Sequence, residues 1–130
     1  MANLLIIDDD VPASAALAAL LRREGHQVTC APSAGDALSR LRQGDPDLVL
    51  LDLTMPRVDG LELFEALTDE PRFRGLRVAI YSGRDEPDAV DAARRLGACD
   101  YIIKGGDWGQ TYDRIKACLG NQGMPSSPLA

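Results

Sequence analysis

The sequence predicts an α/β fold in which helices cover both faces of a parallel five-stranded sheet. Short apolar runs alternate with amphipathic segments over residues 4–119, and strict alternation of strands and helices is typical of right-handed βαβ units. The runs at 4–7 and 48–51 contain apolar residues alone, as expected for strands buried on both faces. With 130 residues, 45% hydrophobic and 26% charged, the chain has the size and composition of one globular domain.

Capping residues support the individual helices. Asp10 is predicted to cap the first helix and Ser33 the second, because their side-chain oxygens can accept hydrogen bonds from free N–H groups of the first turn. Gly25 and Gly97 follow the first and fourth helices, where glycine favours the left-handed conformation. The predicted strands are 4–7, 27–31, 48–51, 76–81 and 101–103, and the predicted helices are 12–23, 33–44, 61–69, 87–96 and 108–119.

Net charge and cysteine usage limit the kinds of partner and the cellular compartment that we expect for this protein. A net charge of −6 argues against direct nucleic-acid binding, which needs cations to neutralise phosphates. The cysteines (30, 99 and 118) are odd in number and lack CxxC spacing, so we expect buried, reduced thiols in a cytoplasmic protein. No signal peptide or membrane span is predicted. Residues 1–119 form the predicted domain, and 120–130 have the composition of a flexible tail or linker, either a natural terminus or the start of a connection to another domain.

Polar side chains end four of the predicted strands. Asp8 and Asp9 follow the first, Asp52 the third, Ser82 the fourth and Lys104 the fifth. Each alone is explained as well by a turn, a cap or a solvated surface. Because the carboxyl ends of parallel strands meet at one edge, where open α/β sheets bind ligands, we expect the five to form one site.

The residue types in this set indicate phosphoryl chemistry. Three carboxylates repel each other unless a cation lies among them, and oxygen ligands without His or Cys favour Mg²⁺ or Mn²⁺. Asp52 is then a candidate nucleophile for a phosphoryl group, whose oxygens Ser82 and Lys104 would contact. Tyr101 is a candidate switch residue, although a half-buried core aromatic is the alternative.

Four motifs carry a resemblance to a known family. They are Leu-Leu-Ile-Ile-Asp-Asp-Asp at 4–10, Leu-Leu-Asp-Leu-Thr-Met-Pro-Arg-Val-Asp-Gly at 50–60, Tyr-Ser-Gly at 81–83 and Gly-Ala-Cys-Asp-Tyr-Ile-Ile-Lys at 97–104. Over residues 3–119 the chain resembles the receiver domain of two-component response regulators. The resemblance implies a (βα)5 flavodoxin-like three-layer sandwich with strand order 2-1-3-4-5.

The resemblance also implies a phosphorylation-dependent signalling switch. The chain would accept a phosphoryl group from a sensor histidine kinase or phosphotransfer protein, and act on a downstream protein target or a lost output domain, as a monomer or weak dimer. It would catalyse its own phosphorylation and dephosphorylation without turning over an external substrate. The implied roles are Asp52 as phosphoacceptor, Asp8, Asp9, Asp52 and the backbone carbonyl of Thr54 as metal ligands, Ser82 and Lys104 as phosphoryl contacts, and Tyr101 with Ser82 as the switch pair.

The sequence departs from the family after Lys104. Gly105 and Gly106 replace the usual cis-proline and the aromatic that often follows it, so we expect trans peptides, a looser start of the last helix and a less firmly held lysine. Thr54 and Arg84 would line the approach to the phosphoryl group.

Three alternative functions compete with the switch. A phosphorylation-independent interaction module is disfavoured because the acids and the lysine are all retained. An aspartate-nucleophile phosphatase is disfavoured because it needs a second acid at position 54, where this chain has threonine. An FMN-binding flavodoxin is disfavoured because it needs a hydroxyl- and glycine-rich loop at 8–10, where this chain has three aspartates.

Overall fold

The structure is a computed structural model that describes residues 2–55 and 58–120, apart from the side chain of Val58. Pro56 and Arg57 of the second motif and the tail at 121–130 lie outside these residues. The sheet strands are β1 (Asn3–Ile7), β2 (Gln27–Ala31), β3 (Leu48–Leu51), β4 (Val78–Ser82) and β5 (Asp100–Ile103), and the helices are α1 (Val11–Arg23), α2 (Ala34–Gln43), α3 (Gly60–Asp69), α4 (Pro87–Leu96) and α5 (Trp108–Gly120).

The five strands form one parallel sheet, which confirms the predicted topology. The order is β2-β1-β3-β4-β5, and every neighbouring pair is parallel. Ile7 of β1 lies opposite Leu51 of β3. The residues that follow these two, Asp8 and Asp52, therefore leave adjacent strands at the same level.

Helices pack on both faces of the sheet and create two cores. Along β1, Leu4 and Ile6 belong to one core, while Leu5 and Ile7 belong to the other, because successive side chains of a strand point to opposite faces. The first core contains residues of α1 and α5, and the second contains residues of α2, α3 and α4. The result is the predicted three-layer sandwich.

The predicted caps are confirmed. The Asp10 carboxylate accepts a hydrogen bond from the Ala13 N–H, and the Ser33 hydroxyl accepts one from the Asp36 N–H. Gly25 and Gly97 adopt φ of 94° and 96°, the left-handed region that disfavours side chains. Local sequence signals thus determine how these helices begin and end.

Some predicted boundaries were wrong. Strand β4 begins at Val78 rather than Leu76, because a 3-10 turn at Pro71–Phe73 continues into the Leu76 N–H, which donates to the Phe73 carbonyl. The structure also contains a two-residue antiparallel ladder between Thr54–Met55 and Val58–Asp59 that the sequence did not indicate.

The prediction that all three cysteines are buried holds for Cys118 alone. Cys30 and Cys99 are half-buried free thiols. Cys30 lies in β2 and Cys99 directly precedes β5, the two outer strands of the sheet, which helices cover less completely. Among the helices of the described residues, none combines the length and apolar character needed to cross a membrane.

Candidate functional site

Three carboxylates meet at the carboxyl edge of the sheet. Asp8 and Asp9 follow β1, Asp52 follows β3, and one oxygen from each lies within 4.8 Å of the others. Asp8 and Asp52 are only 3% and 5% exposed, while Asp9 is the most exposed of the three. Buried like charges at this distance are unfavourable without a cation.

Lys104 supplies one such cation. Its Nζ lies 2.6 Å from Asp8 Oδ2 and 3.4 Å from Asp52 Oδ2. Burial raises the pKa of Asp8 above its ordinary value, although the hydrogen bond from Lys104 partly opposes this. Burial alone would lower the pKa of Lys104, but the hydrogen bond to Asp8 and the charges of both carboxylates raise it overall. Lys104 is therefore charged at neutral pH.

The two buried carboxylates are held in the same way. Asp8 Oδ1 accepts a hydrogen bond of 2.9 Å from the Asp10 N–H, and Asp52 Oδ1 accepts one of 3.1 Å from the Thr54 N–H. Each side chain thus bonds to the backbone two residues ahead, as Asp commonly does in turns. The second oxygen of each is left to face Lys104.

Gly60 shapes the loop behind Asp52. A Cβ atom at this position would lie 2.5 Å from the Leu53 Cα and 2.8 Å from the Asp52 carbonyl oxygen. Both neighbours are backbone atoms and cannot rotate away. Helix α3 can therefore begin close to the carboxyl end of β3 only because residue 60 has no side chain.

The backbone of Arg84 connects Ser82 and Tyr101. The Arg84 N–H donates to Ser82 Oγ at 3.2 Å, and the Arg84 carbonyl accepts from the Tyr101 hydroxyl at 2.7 Å. Ser82 is fully buried and Tyr101 is 4% exposed. Burial raises the pKa of Tyr101, so its hydroxyl remains a donor at neutral pH. The predicted switch pair is thus connected through one residue.

A side-chain cap begins α5 shortly after Gly105 and Gly106. Gly105 takes φ of 89°, and the peptide bonds of the described residues are trans. Asp107 then caps the helix: its carboxylate accepts from the Gln110 N–H at 3.0 Å, and its carbonyl accepts from the Thr111 N–H. The cap bonds hold the first turn of α5 but do not reach Lys104, from which Gly105 and Gly106 separate them.

The donor set fits a hard divalent cation. The three side chains offer carboxylate oxygens alone, which suit Mg²⁺ or Mn²⁺ better than zinc. Asp8, Asp9 and Asp52 are the residues that would hold it. Thr54 follows Asp52 closely, and its N–H is engaged by Asp52.

A family model described as the response regulator receiver domain matches residues 4–116. The chain belongs to the response regulator receiver family. As a receiver domain, it is similar to protein PilH of Pseudomonas aeruginosa, with 34% identity over 92% of this chain and 98% of PilH. It is also similar to the transcriptional regulatory protein AfsQ1 of Streptomyces coelicolor, with 36% identity over 92% of this chain but only 52% of AfsQ1. The receiver domain thus spans about half the length of the latter.

Solved structures agree with this assignment. A response regulator receiver domain protein from Methanospirillum hungatei JF-1 superimposes with a TM-score of 0.81 at 27% identity, covering 90% of this chain and 92% of that one. The BeF3-activated N-terminal receiver domain of RstA from Klebsiella pneumoniae gives 0.82 at 25% identity, covering 91% and 98%. The receiver fold therefore extends over nearly all described residues.

Two residues near the site, Tyr81 and Asp107, were not predicted from the sequence. Tyr81 lies beside Lys104, and Asp107 caps α5. Arg84 was predicted near the phosphoryl group, but not its backbone link between Ser82 and Tyr101. Asp107 could have been found, because Asp before a helical pattern is a capping signal. The contacts of Tyr81 and Arg84 depend on strand register and backbone direction, which carry no local sequence signal.

Proposed function

We propose that this receiver domain is a phosphorylation-dependent signalling switch, in which Asp52 accepts a phosphoryl group from a sensor histidine kinase or phosphotransfer protein. The observation that carries the proposal is the position of Lys104 Nζ, 2.6 Å from Asp8 and 3.4 Å from Asp52. This arrangement supplies a nucleophile, an acid that can bind metal and a fixed cation within one edge of the sheet.

In the transfer step, Asp52 Oδ2 attacks phosphorus. The new O–P bond forms as the N–P bond of the phosphohistidine breaks, and the electron pair of that bond returns to the histidine nitrogen. Asp52 Oδ1 stays hydrogen-bonded to the Thr54 N–H, which orients the carboxylate. Lys104 then contacts an oxygen of the transferred group and balances part of its charge.

A divalent cation would be held by Asp8, Asp9, Asp52 and the backbone carbonyl of Thr54. When bound, Mg²⁺ supplies positive charge to the phosphoryl oxygens during transfer. The oxygen-only donor set and the mutual repulsion of its members support this assignment.

The response to phosphorylation would begin at Ser82. Its hydroxyl donates to a phosphoryl oxygen, which draws Ser82 toward Asp52 and alters its bond with the Arg84 N–H. The Arg84 carbonyl also accepts a hydrogen bond from the Tyr101 hydroxyl, so the change would reach Tyr101 and β5. A downstream protein, or an output domain beyond residue 130, would read this change. We place the protein in the cytoplasm, in keeping with its free thiols, and we propose that it acts as a monomer or weak dimer.

The test is intact-mass analysis after incubation with acetyl phosphate and Mg²⁺. We expect the native chain to gain one phosphoryl group that is labile to base, and Asp52→Asn to gain none. Asp91→Asn is the matched control, because Asp91 is an exposed residue of α4 and should behave as the native chain does.

A native chain that gains no mass would refute the proposal and favour the phosphorylation-independent interaction module. Equal gain by the native chain and Asp52→Asn would refute the assignment of Asp52. Omitting Mg²⁺ should abolish the gain in mass.

A further inference from the structure

Tyr81 is the last residue before Ser82, and its ring faces the ammonium group of Lys104. The Nζ atom lies 5.9 Å from the ring centroid, within the roughly 6 Å range of a cation–π interaction. Tyr81 is half-buried and packs against the core formed with α1 and α5. Tyr81 thus packs against the core while its ring lies beside the lysine ammonium.

Strand register explains this contact. Tyr81 of β4 lies opposite Ile102 of β5, and Ile102 belongs to the same core. Lys104 follows Ile102 by two residues, and it remains hydrogen-bonded to β4 through its N–H and the Ser82 carbonyl at 2.9 Å. Because residues i and i+2 of a strand share a face, Lys104 emerges on the side of the sheet where Tyr81 lies.

An aromatic ring at residue 81 suits the neighbouring ammonium group better than a hydrogen-bonding side chain would. An ammonium group has three N–H donors, and Asp8 and Asp52 accept from it on one side. A ring face attracts the charge without competing strongly for the donors. Burial raises the pKa of the Tyr81 hydroxyl, so the ring remains neutral at neutral pH.

We propose that Tyr81 is a positioning residue that holds Lys104 in place for phosphoryl transfer, supplying from β4 a constraint that Gly105 and Gly106 cannot supply from the chain that follows the lysine. This inference rests on the proposed function of Asp52. Tyr81 acts through Lys104 and touches neither the phosphoryl group nor its donor.

The proposal predicts opposite effects on two measurements. A loosely held Lys104 contacts the phosphoryl group less often, so phosphorylation slows. The same lysine competes less well with a cation for Asp8, so Mg²⁺ binds more tightly. A variant that merely distorted the pocket would weaken both.

The test compares Tyr81→Leu with Tyr81→Phe in the full chain. The rate of phosphorylation by acetyl phosphate at saturating Mg²⁺ is followed by intact mass, and Mg²⁺ affinity is measured by calorimetry without phosphodonor. We expect Tyr81→Leu to slow phosphorylation about two- to fivefold and to tighten Mg²⁺ binding by a similar factor. Tyr81→Phe, which keeps the ring, should match the native chain in both.

Two further variants complete the design. In a Lys104→Met background, Tyr81→Leu should leave Mg²⁺ affinity unchanged, because the residue through which it acts is gone. Tyr112→Leu removes a half-buried tyrosine of α5 and should change neither measurement. If Tyr81→Leu does not fold, Tyr81→Met undergoes the same two measurements.

The inference is overturned if the aliphatic variant changes neither quantity, if it weakens both, or if Tyr81→Phe is as impaired as Tyr81→Leu. A native chain that is not phosphorylated refutes the proposed function instead. The Mg²⁺ measurements would still decide whether the ring holds the lysine.

Discussion

The ammonium group of Lys104 contacts two carboxylates that follow different strands. Its Nζ atom lies 2.6 Å from Asp8 and 3.4 Å from Asp52. One positive charge cannot balance three carboxylates within 4.8 Å of one another. The third, Asp9, is the most exposed, and solvent therefore screens it best. The described site consequently carries excess negative charge, which opposes folding and favours cation binding through the same repulsion.

Asp9→Asn should therefore stabilise the metal-free protein. Removing one like charge should raise the free energy of unfolding in EDTA by up to about 1 kcal/mol. The stabilisation by Mg²⁺ should shrink, since at a fixed concentration a ligand stabilises the fold less as its affinity falls. Thermal unfolding in EDTA and in Mg²⁺ measures both effects, with Asp91→Asn as the control. A lower melting temperature in EDTA would contradict the account.

The glycine at position 60 allows helix α3 to begin directly against the loop that carries Asp52. Helix α3 begins at Gly60 with Asp59 as its cap, the Asp59 carboxylate accepting a hydrogen bond from the Leu61 N–H. The sequence Asp-Gly predicts a turn or a helix start equally well. Only the structure shows that the Gly60 Cα lies against the backbone of Leu53 and Asp52.

Gly60→Ala should destabilise the protein and impair the site together. The added Cβ would lie 2.5 Å from the Leu53 Cα, so the loop after β3 must move at a cost of about 1–3 kcal/mol. Urea unfolding measures the loss, and Mg²⁺ affinity reports on the displacement of Asp52. Gly75→Ala is the control, because nothing lies within 4 Å of its Cβ position. Equal stability of the two variants would refute the steric argument.

Sequence alone predicts elements well where local and periodic signals agree. Continuous apolar runs identified β1 and β3, and side-chain caps identified the starts of α1 and α2. The predicted start of β4 was wrong because Leu76 is apolar and extends the hydrophobic run, although its N–H donates to the preceding turn. The contact of Tyr81 with Lys104 could not be predicted, since it requires the register of two strands that are distant in sequence.

The single histidine of the chain joins three parts of the molecule. His26, in the turn between α1 and β2, accepts a hydrogen bond at Nδ1 from the Ala2 N–H at 3.1 Å. Its Nε2 lies 2.8 Å from the hydroxyl of Tyr112 in α5. Burial, aided by the positive N-terminus, lowers the pKa of His26. The neutral ring is thus favoured in the folded protein.

Stability should therefore depend on pH through His26. A base whose pKa falls on folding binds more protons when unfolded, so stability decreases as pH falls below the ordinary value of 6.5. Stability decreases no further through this group once the pH lies below the pKa of His26 in the folded protein. We expect the difference in unfolding free energy between the native chain and His26→Asn to shrink from pH 7.5 to pH 5.5. Urea titrations at each pH measure it; a constant difference would show that His26 does not titrate on unfolding.

Consecutive residues of strand β5 point to opposite faces of the sheet. Tyr101 packs in the core shared with α2, α3 and α4, whereas Ile102 packs in the core shared with α1 and α5. Lys104, which shares the face of Ile102, reaches the acidic cluster. A displacement of this outer strand would therefore change packing on both faces of the sheet. The phosphorylation proposed at Asp52 would then alter the surface of either helical layer.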